Sequence, residues 1–425
     1  MNKITSNSVF NAPEKRKEIG IAKRDILAVT EAELDAHPHE YILRMRQHSE
    51  VLCRTVKAAD QEVTVYTVFS HELCSTLLAH PHIRQFYTPL LTRRGVSSGP
   101  LQSIFINGMQ TVDGEMHRRR RKPLAGSFAG PVIKEMQPTI KTFVRDHLTN
   151  YLPRRSMNLS KDLAKKLPSS FMCGMIGIPV EDIDRIVGLG GRAFVGLTPF
   201  DPKQLPDIEA AAQELHEYTE WLVDEKRSRN RSEFLDQYLK SSAAIAPELT
   251  EAEIQVQLIG LILGSAETTG MAIVNAVSLL LSDRKQWEAL KSDHSLIGPT
   301  VNETLRFEPS IGTCSRFTAD EICLGEEIIP ANSIISASLL GALRDPALYN
   351  NPQRFDIKRT DFQRKHLAFG SGAHRCLGDS LAWLEIFETI SAIADFMPDI
   401  HLQGDPVKCT GFGGIRQISD CNVAF

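Results

Sequence analysis

The sequence predicts a mainly α-helical fold with small β-sheets gathered at one side. Two observations carry this expectation. Apolar residues recur at i, i+3 and i+4 through segments 41–49, 71–79, 131–151, 208–227, 251–281 and 377–397, the spacing that puts them on one face of a helix. Runs rich in β-branched residues are fewer and shorter.

In chain order, residues 1–25 hold Asn, Lys, Ser, Glu and Arg with only isolated apolar side chains. That predicts a flexible N-terminus without a secretory apolar segment, and a cytoplasmic location. Segments 51–57 and 62–68 are β-rich runs around Ala58 to Gln61, which predicts a hairpin. Ser70 and Thr250 stand where helical patterns begin, each with acids following, and are candidate N-caps. Stretch 256–281 is almost continuously apolar and long enough to cross a bilayer. Glu267, Thr268, Thr269 and Asn275 lie along it, and a carboxylate at mid-depth is costly in lipid. A buried helix through a large core is the better reading, with no membrane anchor. Region 328–339 is a second β-like run.

The chain has 425 residues, of which 42% are apolar and 24% charged, and its formal net charge is −4. This excludes a disordered chain, a collagen-like chain and a strongly basic nucleic-acid binder. The eight cysteines are scattered without a Cys-x-x-Cys pair, so neither a disulfide scaffold nor a zinc ribbon is indicated. A length-based prior gives about three domains. No Gly/Ser-rich or Pro-rich linker divides the sequence, and a single domain over residues 26–425 is expected instead.

The densest chemical signal is 366–378, His-Leu-Ala-Phe-Gly-Ser-Gly-Ala-His-Arg-Cys-Leu-Gly. Glycines surround one cysteine and a helical pattern follows directly. Such a loop presents a thiol at a helix N-terminus, where backbone N–H groups can donate to sulfur and the helix dipole lowers a thiol pKa. Two further motifs follow the same chain. Glu303 and Arg306 are three residues apart and share a helix face. Gly264 to Thr269 places Glu267 beside Thr268 within the apolar stretch, which is costly unless the pair has a use.

Together these segments resemble the cytochrome P-450 superfamily. Phe369, Gly370, Gly372, His374, Cys376 and Gly378 match its heme-binding loop. Glu303 and Arg306 match its Glu-x-x-Arg motif, and Arg354 in Pro352-Gln353-Arg354-Phe355 matches the arginine that joins the same structural network. Glu267 and Thr268 match its acid–alcohol pair, with Ser265 where the family usually has glycine. His117 and Arg121, at i and i+4, together with Arg316 and His374, match positions that face the heme carboxylates.

The resemblance implies a monooxygenase that inserts one atom of O2 into a hydrophobic small molecule. The cofactor would be heme b with Cys376 as the iron ligand, while Glu267 and Thr268 relay protons. Nothing in the chain matches a flavin, NAD(P) or iron–sulfur site, so electrons from NAD(P)H would come through a ferredoxin and a ferredoxin reductase. The basic run 118–122 is a candidate docking site for the ferredoxin. The substrate pocket, by family position, would draw on Phe194, Leu263, Gly264, Ile311, Thr313 and Phe412. A heme-thiolate peroxygenase or isomerase without redox partners is the alternative, and the intact Glu267–Thr268 pair argues against it.

Overall fold

The computed structural model describes residues 31–425 except 59–60, 86–90, 92–93, 198–199, 230–232, 266 and 362–366. The expectation for the N-terminal 25 residues therefore lies outside the described residues.

The expected hairpin forms. Strands β1 (Val51–Ala58) and β2 (Gln61–Val68) pair antiparallel, with Val51 opposite Val68. They belong to a five-stranded sheet with β3 (Ile83–Arg84), β4 (Thr313–Thr318) and β5 (Ile334–Ser338), in the order β1–β2–β5–β4–β3. The β2–β5 pair is parallel, Val65 facing Ile334. It joins segments nearly 270 residues apart in sequence, a pairing that no local pattern announces.

The helices that matter for the site are α1 (Pro38–Arg46), α2 (Gly114–Ala125), α3 (Leu167–Ile176), α4 (Ile183–Phe194), α5 (Leu205–Arg229), α6 (Glu251–Ser265), α7 (Thr268–Ser282), α8 (Ile297–Phe307) and α9 (Asp379–Phe396). Both candidate caps act. Ser70 Oγ accepts from Leu73 N at 3.4 Å. Thr250 Oγ1 accepts from Glu253 N at 3.2 Å while Glu253 Oε2 accepts from Thr250 N at 2.9 Å, a reciprocal box that starts α6. Segment 131–151 is two helices rather than one, Gly130–Glu135 and Gln137–Thr149. Pro138 suits a first turn but not a helix interior.

The long apolar stretch is likewise divided. α6 ends at Ser265 and α7 begins at Thr268, with Glu267 between them at φ −120° and ψ −40°. Leu258, Ile259, Ile262, Ile273, Val274 and Val277 along it are essentially without solvent exposure. By length and composition it could cross a membrane, but 71% of its most apolar window is buried inside the protein. It is the axis of the core, as the carboxylate at Glu267 led us to expect.

Candidate functional site

Chain geometry first shapes the cysteine loop. Gly370 and Gly372 take φ values of +71° and +70°, where side chains other than glycine are strained. At Gly372 a Cβ would also stand 2.3 Å from the Leu78 carbonyl oxygen. The loop closes when Cys376 N donates to the Phe369 carbonyl at 2.9 Å. Arg375 fastens it, bonding Asp379 at 2.8 Å and the Gly370 carbonyl at 3.2 Å. Gly378 then caps α9.

Cys376 is solvent-exposed by area although protein atoms surround it densely. Burial raises its thiol pKa, and the Gly378 N–H with the Arg121 and Arg375 charges opposes that rise. Burial therefore outweighs the lowering expected from the helix N-terminus. A metal cation at the sulfur reverses that balance and favours the thiolate.

His117, on α2, is 3% exposed, and its Nε2 has no hydrogen-bond partner among the described residues. Its ring lies 4.2 Å from that of His374, centroid to centroid. Burial, then the neighbouring His374, lowers its pKa to about 4, so it is neutral at pH 7. His374 Nε2 bonds Asp113 Oδ1 at 3.0 Å, and Asp113 Oδ2 accepts from Gln85 N at 2.8 Å. Arg121 Nη2 donates to the Arg375 carbonyl at 2.8 Å. The structure thus brings His117, Arg121, His374 and the cysteine loop together. Arg316 stands on β4 and donates to the carbonyl of Ser315, with no bond joining it to that group among the described residues.

These residues fit a heme. A sulfur is exposed within the glycine loop, an orphaned imidazole nitrogen is buried on the ring that packs against His374 of that loop, and a guanidinium flanks it. Such donors suit an anionic macrocycle with carboxylate side groups.

The acid and the alcohol open onto different spaces. Thr268 Oγ1 lies 3.5 Å from the Gly264 carbonyl, one turn back, and Gly264 is exposed with no atom near its Cβ position. Glu267 instead lines a cavity of about 670 Å³ with Lys165, Gly188, Gly191 and Arg192. Burial raises its carboxyl pKa and Lys165 opposes the rise. Ser265 turns its hydroxyl back onto the Ile262 carbonyl at 2.9 Å, so it adds no donor to the Thr268 side. Ser310 Oγ donates to the Thr268 carbonyl at 2.7 Å and pins the start of α7.

Behind the loop, Glu303 and Arg306 pair at 2.7 Å with no side-chain exposure. All of Arg306's N–H donors are used, by Glu303 and by the carbonyls of Leu343, Pro352 and Arg354. The expected role of Arg354 needs correction. Its residue is exposed, and what it contributes is its backbone carbonyl. The second guanidinium is Arg359, whose Nε donates to Glu303 Oε2 at 3.0 Å.

The expected pocket residues divide. Gly264 faces open space. Ile311 forms an isolated β-bridge with Ile415, and Thr313 Oγ1 accepts from Gly414 N at 3.2 Å. Phe194 and Leu263 are buried in the main apolar core. Phe412 is corrected: it is 4% exposed and packs with Leu34, Ile42, Met45, Leu52, Phe69 and Leu340, away from any open surface. Its N–H donates to Asp35, which turns that segment toward the N-terminal helices.

The basic run is also not one face. Arg118 pairs with Glu115 at the surface, whereas Arg119 and Arg120 both turn inward to Glu253 at the start of α6. Sequence reasoning missed Asp113, Glu253 and Arg359 as partners. Only Asp113 had a signal, its place at the head of the His117 helix.

The sequence model of the cytochrome P450 family matches residues 192–395. The plant-inducible cytochrome P450-pinF1 of Rhizobium radiobacter is 29% identical over 424 residues, covering 99% of this chain and 98% of the relative. The chain belongs to the cytochrome P450 superfamily. Two solved P450 structures share its fold. P450BioI, solved in complex with a hexadec-9Z-enoic acid ligated acyl carrier protein, superimposes with a TM-score of 0.84 at 25% identity, covering 92% of this chain and 100% of the other. Myxobacterial CYP267B1, solved with myristic acid, gives 0.82 at 26% identity, covering 92% and 97%. The P450 assignment makes this chain a heme-thiolate monooxygenase, an oxidoreductase that uses heme and O2.

Proposed function

We propose that this P450 oxidises a hydrophobic small molecule, with electrons delivered by a ferredoxin and a ferredoxin reductase. Cys376 would hold the iron of heme b. The observation that carries the reading is the helix break at Glu267–Thr268, which sets a carboxyl and a hydroxyl at adjacent positions of an otherwise apolar axis.

Bound heme supplies the activation of dioxygen, one atom of which enters the substrate while the other leaves as water. The chain's own residues do the rest. His117 Nε2, Arg121, His374 and Arg316 would hold the heme carboxylates, with forked guanidinium donors suited to that task. Glu267 takes protons from its cavity and Thr268 holds the hydroxyl that passes them on. The apolar lining expected from Phe194, Leu263, Ile311 and Thr313 would orient the substrate and exclude water, with Phe412 no longer among them.

The exposed members of the basic run, Arg118 and Lys122, remain the proposed ferredoxin contact. Reversal of either to Glu should slow ferredoxin-supported reduction in an ionic-strength-dependent way. We also take residues 26–425 as one domain, supported by a large apolar cluster that draws on residues from Leu91 to Val423 and by the pairing of β2 with β5 across the chain. A cytoplasmic location in the bacterial manner agrees with the need for NAD(P)H-driven partners.

The test compares turnover with NAD(P)H, ferredoxin and reductase against turnover with hydrogen peroxide. A screen for displacement of heme-bound water should include free fatty acids, acyl-carrier thioesters, terpenoids and aromatics. Partner-dependent turnover supports the proposal. Efficient peroxide-driven turnover without partners would favour a peroxygenase. Cys376→Ala should abolish the thiolate-shifted band of the reduced carbon monoxide complex. Thr268→Ala should keep that band and divert electrons to hydrogen peroxide.

A further inference from the structure

The cavity that Glu267 lines also holds groups that the proposed chemistry does not use. Ser169, in the first turn of α3, is 1% exposed and lines this cavity, and its Oγ has no hydrogen-bond partner among the described residues. A buried hydroxyl in that state is costly unless a ligand or a water completes it. Lys165 reaches the same space from the end of a π-helical stretch, Leu159–Ala164, and Lys203 reaches it from just before α5. Wide turns of the π kind recur at functional sites. Neither lysine is in an ion pair among the described residues. Arg192 differs, because Asp207 already holds it. Two uncommitted ammonium groups, the positive end of a ten-residue helix and one unused hydroxyl therefore meet at one cavity. Those are the parts of an anion site.

The rest of the lining narrows the anion. Val187, Val195 and Ile208 are apolar, and Gly188 has no atom within 4 Å of its Cβ position, which leaves room beside them for an apolar body. Asp207 and Glu267 disfavour a doubly charged head group. Burial holds the Glu267 carboxyl pKa up against the Lys165 charge, and in its protonated form it donates to a carboxylate instead of repelling it. A volume of about 670 Å³ is that of an ordinary small-molecule site. Thr268 and the cysteine loop contribute nothing to the lining, so a ligand here is not the molecule being oxidised.

We propose that this cavity is a second binding site, separate from the heme pocket, for a small organic acid with one carboxylate and a short apolar body, seated on Ser169 Oγ, Lys165 and Lys203. The carboxylate accepts from the hydroxyl and is neutralised by the two ammonium groups, while the apolar end packs on Val187 and Ile208 beside Gly188. The site stands whether or not Glu267 and Thr268 form a relay.

The test uses the heme-loaded full chain with the iron ligated by a phenylimidazole, which fills the heme pocket. Calorimetric titration with hexanoate should then show one site, and hexanol, with the same body and no charge, should bind about tenfold more weakly. Ser169→Ala should weaken hexanoate about tenfold. It should leave the apparent thermal midpoint unchanged or raised, because the hydroxyl makes no bond within the protein. Lys165→Gln and Lys203→Gln should each weaken binding several-fold, and less so at high salt. Gly188→Leu should abolish binding by filling the space for the apolar body, with an unchanged carbon monoxide spectrum, taken without the phenylimidazole, as the check on folding. Absence of hexanoate binding to the blocked wild-type protein overturns the site, as does binding undiminished in both Ser169→Ala and Gly188→Leu. Displacement of hexanoate by an equal concentration of inorganic phosphate overturns the choice of a carboxylate with an apolar body.

Discussion

Arg359 Nε lies 3.0 Å from Oε2 of Glu303, a carboxylate with no solvent exposure that already holds Arg306. Asp356 N donates to the other oxygen at 2.8 Å. One buried anion therefore organises two guanidinium groups and the backbone of 350–359 behind the cysteine loop.

From this pairing, Arg359→Ala and Arg354→Ala should behave differently. Removing Arg359 leaves a buried carboxylate short of one partner, a change that costs about 3–5 kcal/mol when a buried pair is broken. Removing the exposed Arg354 side chain should cost within about 0.5 kcal/mol, since its carbonyl remains. Apparent thermal midpoints of the heme-loaded proteins, with heme retention, measure the contrast. Equal losses would return the role to Arg354.

Why Arg354 and not Arg359 was legible is instructive. The Pro-x-Arg-Phe pattern marks the segment correctly, but which arginine turns inward depends on a loop. Arg359 reaches back across that loop to the Asn350 carbonyl at 2.7 Å, and no periodicity encodes that turn. The cysteine loop was readable because glycine is required at fixed offsets for positive φ and close approach. The Glu267–Thr268 pair was readable because a carboxylate in an apolar run is improbable without a use. Phe412 was misplaced because an aromatic in a Gly-rich turn carries no mark of which side it faces. The Asp35 contact that decides it lies nearly 380 residues away in sequence.

The start of α6 allows a similar comparison of buried and exposed pairs. Glu253 is 3% exposed and takes both Arg119 and Arg120, so it ties the helix of His117 and Arg121 to the central axis. Glu253→Ala should cost about 3–5 kcal/mol and loosen heme binding. Glu115→Ala, which frees only the surface Arg118, should change stability by under about 1 kcal/mol. Heme dissociation rates, read by transfer to an acceptor protein, should rise for the first variant alone.

Acid sensitivity should come in part from the cluster around Glu308, which accepts from His39 at 2.9 Å and Arg344 at 3.0 Å and also pairs with Arg416. Burial, aided by the Arg344 charge, lowers His39 to about 4, against the pull of Glu308. His39 is thus neutral at pH 7 and donates through Nε2. The unfolded chain takes up this proton near pH 6.5, so stability contributed here is full above that and lost as pH falls toward 4. The full shift overstates the loss, because 21% of the side chain stays exposed, and a loss on the order of 2 kcal/mol is expected. Burial alone would raise Glu308, but His39 and the two arginines outweigh it and hold its pKa down. Its contribution is lost at lower pH still. His39→Gln keeps an N–H donor and cannot titrate, so its apparent unfolding midpoint should fall less between pH 6.5 and 4 than that of the unmodified protein. Parallel curves would exclude His39 as a source of the slope.

The two glycines that flank the helix break should respond in opposite ways to the same methyl group. At Gly270 the added Cβ meets the Ala164 carbonyl at 2.1 Å, a contact with backbone on both sides that neither rotamer change nor a flexible neighbour can relieve. The helix must move off the π-helical stretch, and the carbonyl loses its close packing. A loss of roughly 3 kcal/mol or more is expected for Gly270→Ala. At Gly264 the Cβ meets nothing within 4 Å, and alanine is the better helix former by about 1 kcal/mol. Gly264→Ala should therefore leave stability unchanged or slightly raised. Its effect belongs to chemistry, because the methyl enters the space into which Thr268 opens. Unfolding midpoints separate the two variants, while coupling and substrate-induced spectral shifts should change in Gly264→Ala at undiminished stability. If Gly264→Ala unfolds as readily as Gly270→Ala, the space beside Thr268 is filled by packing, and the cleft must lie on another face of the break.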